Sequence, residues 1–250
     1  MKINRSAYYA YAGCRTYRES AKTAACAARV KEGFWFHRRR YGTRRIAAEL
    51  KIGRAAARRV MRRENLRAIQ PKQFAPQTTD SKHGSAICAN LLQNSANITG
   101  SKGEVLIGDI TYLRLPDNSC CYLACLQDKF TRRIVGWKVS ERMTAQLVID
   151  VFLSARRGGL IGKGAIIHPD RGSQYASVEY RRLLYVNGFR QSMSRRGNRY
   201  DNAPAESFFS RFKAELIEDG VFESIEDAKS EVFSYIEGYY NRIRRHSGLG

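Results

Sequence analysis

The chain reads as an α/β protein: a mixed sheet flanked by helices, preceded by a small, basic, all-helical domain. Three observations predict this. Residues 20 to 66 carry helical periodicity and a dense arginine content; from residue 104 three β-rich segments follow one another across short turns; beyond Thr144 helical and strand patterns alternate.

Composition bounds the rest. At 250 residues, 43% hydrophobic and 27% charged, the chain is long enough to bury a core and too apolar to be disordered. No run of eighteen apolar residues occurs, and "MKINRSAYYAYAGCR" lacks the apolar stretch of a signal peptide, so the expectation is a cytoplasmic protein with no membrane partner. Cys14, Cys26, Cys88, Cys120, Cys121 and Cys125 form no CxxC pair. His37, His83, His168 and His246 have no ligand spacing with them, which excludes a zinc module. Of the formal net charge of +21, most lies early: residues 1–103 hold 22 Lys and Arg against 5 Asp and Glu, residues 104–250 hold 22 against 18. A basic region joined to a nearly balanced one suggests a grip on a polyanion, DNA above all, attached to a chemistry domain.

The domain boundaries expected are 1–69 for the basic helical region, 70–103 for a linker and 104–250 for the catalytic core. In the first, "YGTRRIAAELKIGRAAARRVMRREN" holds two short helical patterns. Thr43 to Leu50 would bury Ile46, Ala47 and Leu50; Arg54 to Glu64 would turn Ala57, Val60 and Met61 inward and leave Arg58, Arg59, Arg62 and Arg63 outside to meet phosphate. Two helices across a tight glycine-containing turn match a helix-turn-helix, or equally a basic helical hairpin. The polar stretch Gln70 to Lys102 reads as linker with one short helix near Ile87 to Leu92.

"EVLIGDITYLRL", "CCYLACLQDKF" and "RRIVGWKVSE" are then three strands of an antiparallel meander, with Asp128 to Arg133 as a turn. "TAQLVIDVFLSARRGG" is a helix with Thr144 as its N-cap and Gly158 and Gly159 at its end. "GAIIHPD" is the next strand and "SVEYRRLLYVNG" the next helix. A short apolar piece at Phe189 leads to the polar loop "SMSRRGNRYDN", and two helices, about Ala203 to Ile217 and Ile225 to Arg245, finish the chain.

Two aspartates stand out. Asp109 lies inside the first strand and Asp170 ends the fourth; if those strands are neighbours, the carboxylates meet. Glu206 opens a helix whose Phe208, Phe209, Phe212 and Leu216 form a packing face, and Lys213 lies within about 20° of it on the side expected to look outward. Three hard oxygen donors suit magnesium or manganese, and two such ions serve phosphoryl displacement. In the loop, Ser192, Ser194, Arg195, Arg196, Gly197, Asn198 and Arg199 combine mobility with phosphate-seeking groups, which suits closure over DNA. Arg171 and Gln174 are further candidates for DNA contact, Arg171 equally for a neighbouring carboxylate. Arg242, Arg244 and Arg245 either reach phosphate or solvate their helix, while Asp128 and Asp201 read as turn or cap residues.

Sixty residues separate Asp109 from Asp170 and thirty-five separate Asp170 from Glu206. With "YGTRRIAAEL", "DITYL", "YLACLQDKFTRRIVGW", "HPDRGSQY", "SMSRRGNRYDNAPAESFF" and "YIEGYYNRIRRHSGLG", the chain resembles the OrfB-type transposases of insertion-sequence family three, DDE enzymes with an RNase H-like integrase core. The resemblance implies a five-stranded RNase H-like sheet and a transposase that cleaves the element's DNA ends and transfers strands. It implies Asp109, Asp170 and Glu206 as the metal-binding catalytic triad, with two Mg2+ or Mn2+ ions, and Lys213 as a residue that places the DNA end. It also implies a homo-oligomer and a first-reading-frame (OrfA-type) partner. Pro169 stands where that family usually has Ser, Leu106 and Ile107 where a Trp is usual, and the stretch Gln93 to Gly103 is atypical. The end at Gly250 adds the expectation of a truncated copy; the competing readings are a defective copy acting as a DNA-binding regulator and an RNase H-like nuclease.

Overall fold

The computed structural model describes residues 4–13, 20–71, 87–93, 98–195, 202–216, 222–246 and 249. The chain divides into two compact units, Met1–Ile69 and Gln70–Gly250.

In the first unit, α1 (Arg5–Ala12) contributes no buried residue. α2 (Ala21–Phe36) starts at Ser20, whose hydroxyl accepts from the Thr23 amide at 3.2 Å, and buries Ala27, Val30 and Phe34. α3 (Thr43–Leu50) and α4 (Arg54–Arg63) complete its core with Ile46, Ala47, Ala57, Val60 and Met61, while Leu50 is only half-buried. The residue that closes the turn between them is Lys51, left-handed at φ 52°; Gly53 is extended at φ −63° and caps α4. Arg58, Arg59, Arg62 and Arg63 are exposed as their spacing predicts, and Arg63 donates to Glu64 at 3.0 Å.

The second unit is built on a five-stranded sheet in the order β3-β2-β1-β4-β5. β1 (Val105–Arg114), β2 (Cys120–Asp128) and β3 (Ile134–Ser140) form the antiparallel meander. β4 (Ile166–Pro169) runs parallel to β1 on its other side, and β5 (Arg190–Gln191) runs parallel to β4. The meander turn is tied by the Asp128 carboxylate, which accepts from the amides of Phe130 and Thr131 at 2.8 and 2.9 Å.

Side-chain alternation along the strands feeds two layers. On one face Leu106, Leu126 and Val135 pack with α5 (Ala145–Arg157) and α7 (Val178–Val186), which follows the short α6 (Ser173–Ala176). Thr144 occupies the N-cap position of α5, but its hydroxyl makes no capping bond. At Gly136 a Cβ would fall 2.6 Å from the Val151 carbonyl oxygen and 2.9 Å from the Ala155 Cβ, so α5 approaches β3 as closely as glycine allows. On the other face Leu113, Leu123, Cys125 and Ile134 pack with α8 (Ala203–Leu216) and α9 (Ile225–Phe233).

Two expectations need correction. The helix expected to run from Ile225 to Arg245 is α-helical only to Phe233 and continues as a π-helical turn, Ser234–Tyr240. There the Asn241 amide donates to the Ile236 carbonyl at 2.9 Å. The wider turn brings Asn241 to the start of β3, where its side chain accepts from the Ile134 amide and donates to the Ile134 carbonyl, both at 3.0 Å. Nor does a helix form near Ile87 to Leu92. Those residues lie along the edge of the core instead, with Cys88 Sγ donating to Gln191 Oε1 at 3.3 Å and the Leu91 amide to the Ser192 hydroxyl at 2.9 Å.

Candidate active site

The parallel register of β1 and β4 pairs Gly108 with Pro169, so the next residue of each strand is an aspartate: Asp109 on β1 and Asp170 just past β4. Asp109 Oδ1 accepts from the Ile110 amide at 2.8 Å. Burial pushes its carboxyl well above the ordinary aspartate range. The Asp170 charge adds to that, Glu206 adds less, and the Ile110 amide and Lys213 pull the other way. Asp170 turns back on its own chain, Oδ1 accepting from the Gly172 amide at 3.0 Å. A Cβ on Gly172 would crowd that oxygen at 3.1 Å.

Glu206 lies exposed in the first turn of α8, where the helix dipole favours an anion. Lys213, expected to face outward, is instead half-buried, its Nζ 4.1 Å from the centroid of the Tyr112 ring. Desolvation lowers its pKa and the Asp109 charge opposes that shift. The reason is angular: Lys213 sits roughly 90° from the centre of the phenylalanine face, a flank and not the far side. Among the described residues no three His, Cys, Asp or Glu side chains stand close enough to hold a metal ion as they are. The structure gathers two carboxylates and sets the third on an adjoining helix.

The loop before α8 starts differently from the expectation. Ser192 and Ser194 are buried, because the chain continues along β4: their amides donate to the carbonyls of Ile167 and Pro169 at 2.9 and 3.1 Å. The Ser192 hydroxyl is 2.7 Å from His168 Nδ1. Arg171 Nε donates to the Ser194 carbonyl at 2.7 Å, which makes Arg171 an anchor for this segment, and Gln174 donates to the Met143 carbonyl at 3.1 Å. Arg195 is exposed; Arg196, Gly197, Asn198, Arg199 and Asp201 lie outside the described residues.

Arg244 is neither a phosphate ligand nor a solvating residue. Its Nε and NH2 meet Glu215 Oε2 and Oε1 at 3.1 and 2.7 Å in a buried fork, and the Tyr235 hydroxyl donates to Glu215 at 2.8 Å. Sequence reasoning also missed Tyr175. It is buried against the strand pair, and its phenol is pushed well up by burial first, then by the charges of Asp170 and Asp109. The available signal was an aromatic residue closing the otherwise polar turn "DRGSQY".

A mixed sheet in this order, with one aspartate in its central strand β1, a second just past the parallel neighbour β4 and a glutamate in the first turn of α8, defines an RNase H-like integrase core. Family models described as "Integrase core domain" match residues 99–199 and 187–250. The InsF transposase of insertion sequence IS3A from Escherichia coli K12 is 37% identical over 259 residues, covering 100% of this chain and 88% of that protein. The transposase of insertion sequence element IS904 from Lactococcus lactis is 40% identical over 225 residues, 88% of each chain. A 31 kDa protein of insertion element IS600 from Shigella sonnei is 35% identical over 253 residues, 99% of this chain and 92% of that one. The chain belongs to the IS3-type transposases and is a DDE transposase, a polynucleotidyl transferase. Among the described residues no helix is long and apolar enough to cross a membrane.

Proposed function

We propose that Asp109, Asp170 and Glu206 are the catalytic carboxylates of this transposase, and that they hold divalent cations for cleavage of the element's DNA ends and for strand transfer. The observation that carries the reading is the Gly108–Pro169 pairing, which leaves two carboxylates side by side with, among the described residues, no cationic side chain hydrogen-bonded to Asp109. The residues fit magnesium or manganese: the donors are hard oxygens, and the mutual repulsion felt at Asp109 is what a bound dication relieves. When bound, two such ions supply activation of the attacking oxygen and stabilisation of the leaving one.

The chain's own residues then have separable tasks. Asp109 and Asp170 present oxygens from a rigid sheet, and Glu206 completes the set from the start of α8 by a change of rotamer or a small helix movement. Lys213, with its ammonium over the Tyr112 ring and within the field of Asp109, meets a phosphate of the DNA end. Arg195, together with Arg196 and Arg199, supplies phosphate contacts from the loop, and Arg171 holds that loop to β4 through Ser194. In the region 1–69, Arg58, Arg59, Arg62 and Arg63 grip the DNA backbone from one face of α4. The working unit we propose is a homo-oligomer in the cytoplasm, acting on element ends and target DNA with a first-reading-frame partner. The segment 70–103 joins the helical region to the core at 104–250.

The test is magnesium-dependent joining of a labelled 3′-hydroxyl DNA end into a target duplex. Glu206→Gln is expected to lose joining by more than about 100-fold while keeping its melting temperature. Joining that survives the substitution removes Glu206 from the site. Hydrolysis without joining in the wild-type chain favours the nuclease reading, and salt-sensitive DNA binding with neither product favours the regulator.

A further inference from the structure

Gly108 and Pro169 are paired across β1 and β4, and each is the residue immediately before an aspartate. Alternation turns residue 108 towards the layer of α5 and α7, opposite to the face that Asp109 shares with Cys125 and α8. A Cβ built on Gly108 would lie 3.4 Å from Leu126 Cδ2, 3.4 Å from Pro169 Cβ and 3.4 Å from Tyr175 Cε1. The ring of Tyr175 therefore closes the space beside Gly108, the residue before Asp109, with Pro169, the residue before Asp170, bordering the same space. It is held there on three sides. Tyr175 is 3% exposed, its carbonyl accepts from Gln191 Nε2 at 2.6 Å, and its ring meets that of Tyr180 edge-on at 5.7 Å between centroids. α6, which carries Tyr175, begins only three residues past Asp170.

We propose that Tyr175 is a positioning residue for the transposase reaction, its ring acting as a wall behind Gly108 and Pro169 that fixes the separation of the Asp109 and Asp170 carboxylates. This rests on the reading of those two aspartates as cation ligands. The ring is suited to the task because it is flat and locked by packing, whereas a flexible side chain of equal volume would leave the pair free to splay. Both aspartate charges reach the phenol, as expected of a group at the back of the pair. Gly108 is part of the device: a methyl group there would already stand in van der Waals contact with Leu126, Pro169 and Tyr175.

The experiment measures Mn2+ binding to the full chain by calorimetry without DNA, beside the joining rate and the KM for the DNA end. Tyr175→Phe keeps the wall and is expected to bind Mn2+ within about twofold of wild type, whereas Tyr175→Leu weakens binding about 10-fold with the KM for DNA unchanged. Gly108→Ala in the Tyr175→Leu background refills the space and restores part of the affinity. Tyr175→Met is measured in parallel, so that the proposal stays testable should the Leu variant fail to fold: a folded Met variant is expected to show the same weakening. Native Mn2+ affinity in a folded Leu or Met variant overturns the proposal, as does a Phe variant that weakens as much as Leu. Asp170→Asn is the control. If it loses Mn2+ while the Tyr175 variants do not, only the wall falls; if it keeps Mn2+, the carboxylate pair is not the cation site and both readings fall.

Discussion

Two carboxylate sites on the same side of the sheet are built in opposite ways. Glu215, near the end of α8, is buried with its counter-charge: Arg244 meets it with two hydrogen bonds and Tyr235 with a third. Asp109, near the start of the same helix, receives one backbone amide and faces Asp170 and Glu206 as like charges. A chain that uses a carboxylate for architecture neutralises it internally. At the other site, among the described residues, no cationic side chain is hydrogen-bonded to Asp109, and Lys213 offsets its raised pKa only as the smallest of the influences on it.

The largest break in this comparison comes from the architectural site. Arg244→Met leaves Glu215 buried without its partner and is expected to cost about 3–5 kcal/mol. At about 2–4 °C per kcal/mol, the fall is readily seen in a melting curve. The double variant Glu215→Leu with Arg244→Met is expected to recover most of that loss, since a buried pair can be exchanged for apolar groups at little net cost. A double variant as unstable as the single one would mean that the network does more than neutralise itself.

The carboxylate pair should respond with the opposite sign. Because the folded state raises the Asp109 pKa, its ionisation costs the fold nothing below the ordinary aspartate value. The penalty grows as pH rises from there to the raised value and is complete above it. Asp170→Asn removes the repulsion, so the metal-free variant is expected to gain about 1 kcal/mol over wild type above that window and nothing below it. Melting curves across pH in a chelator test this; equal curves for the two proteins would show that the aspartates do not feel one another.

The smallest effect on stability is expected in the helical unit. Arg58, Arg59 and Arg62 are exposed, and their alanine variants should melt within about 0.5 kcal/mol of wild type. Each should nevertheless lower the slope of log K against log salt by up to about 0.9 for duplex DNA. Arg244 and these three share a residue type and differ in surroundings, so the two measurements should separate them cleanly.

That contrast also marks what was legible in the sequence. Exposed arginines, the meander and the helices of residues 43–63 follow from alternation and period, which depend on local residue order. The meeting of Asp109 with Asp170 was legible as a condition: it needed only that the first and fourth strands be neighbours. The role of Arg244 was not, because its partner is 29 residues away and Glu215 appears in sequence as one more charge on a helix. Ser192 and Ser194 look like loop residues and are buried because β5 extends along β4 beyond its two formal residues. The π-helical turn left no trace at all, since an i to i+5 bond changes the backbone path without changing residue preference. The burial of Tyr175 was hidden for a related reason: its ring fits beside a glycine in β1, far away in the chain.

Gly136 carries a consequence for inheritance. Every single-base change that replaces it with another residue adds at least a Cβ, and that atom would sit 2.6 Å from the Val151 carbonyl oxygen of α5. Such a lesion would lift α5 without touching a carboxylate or an arginine. A gene copy could thus fall silent at this codon while every residue that identifies it as a transposase remains in place.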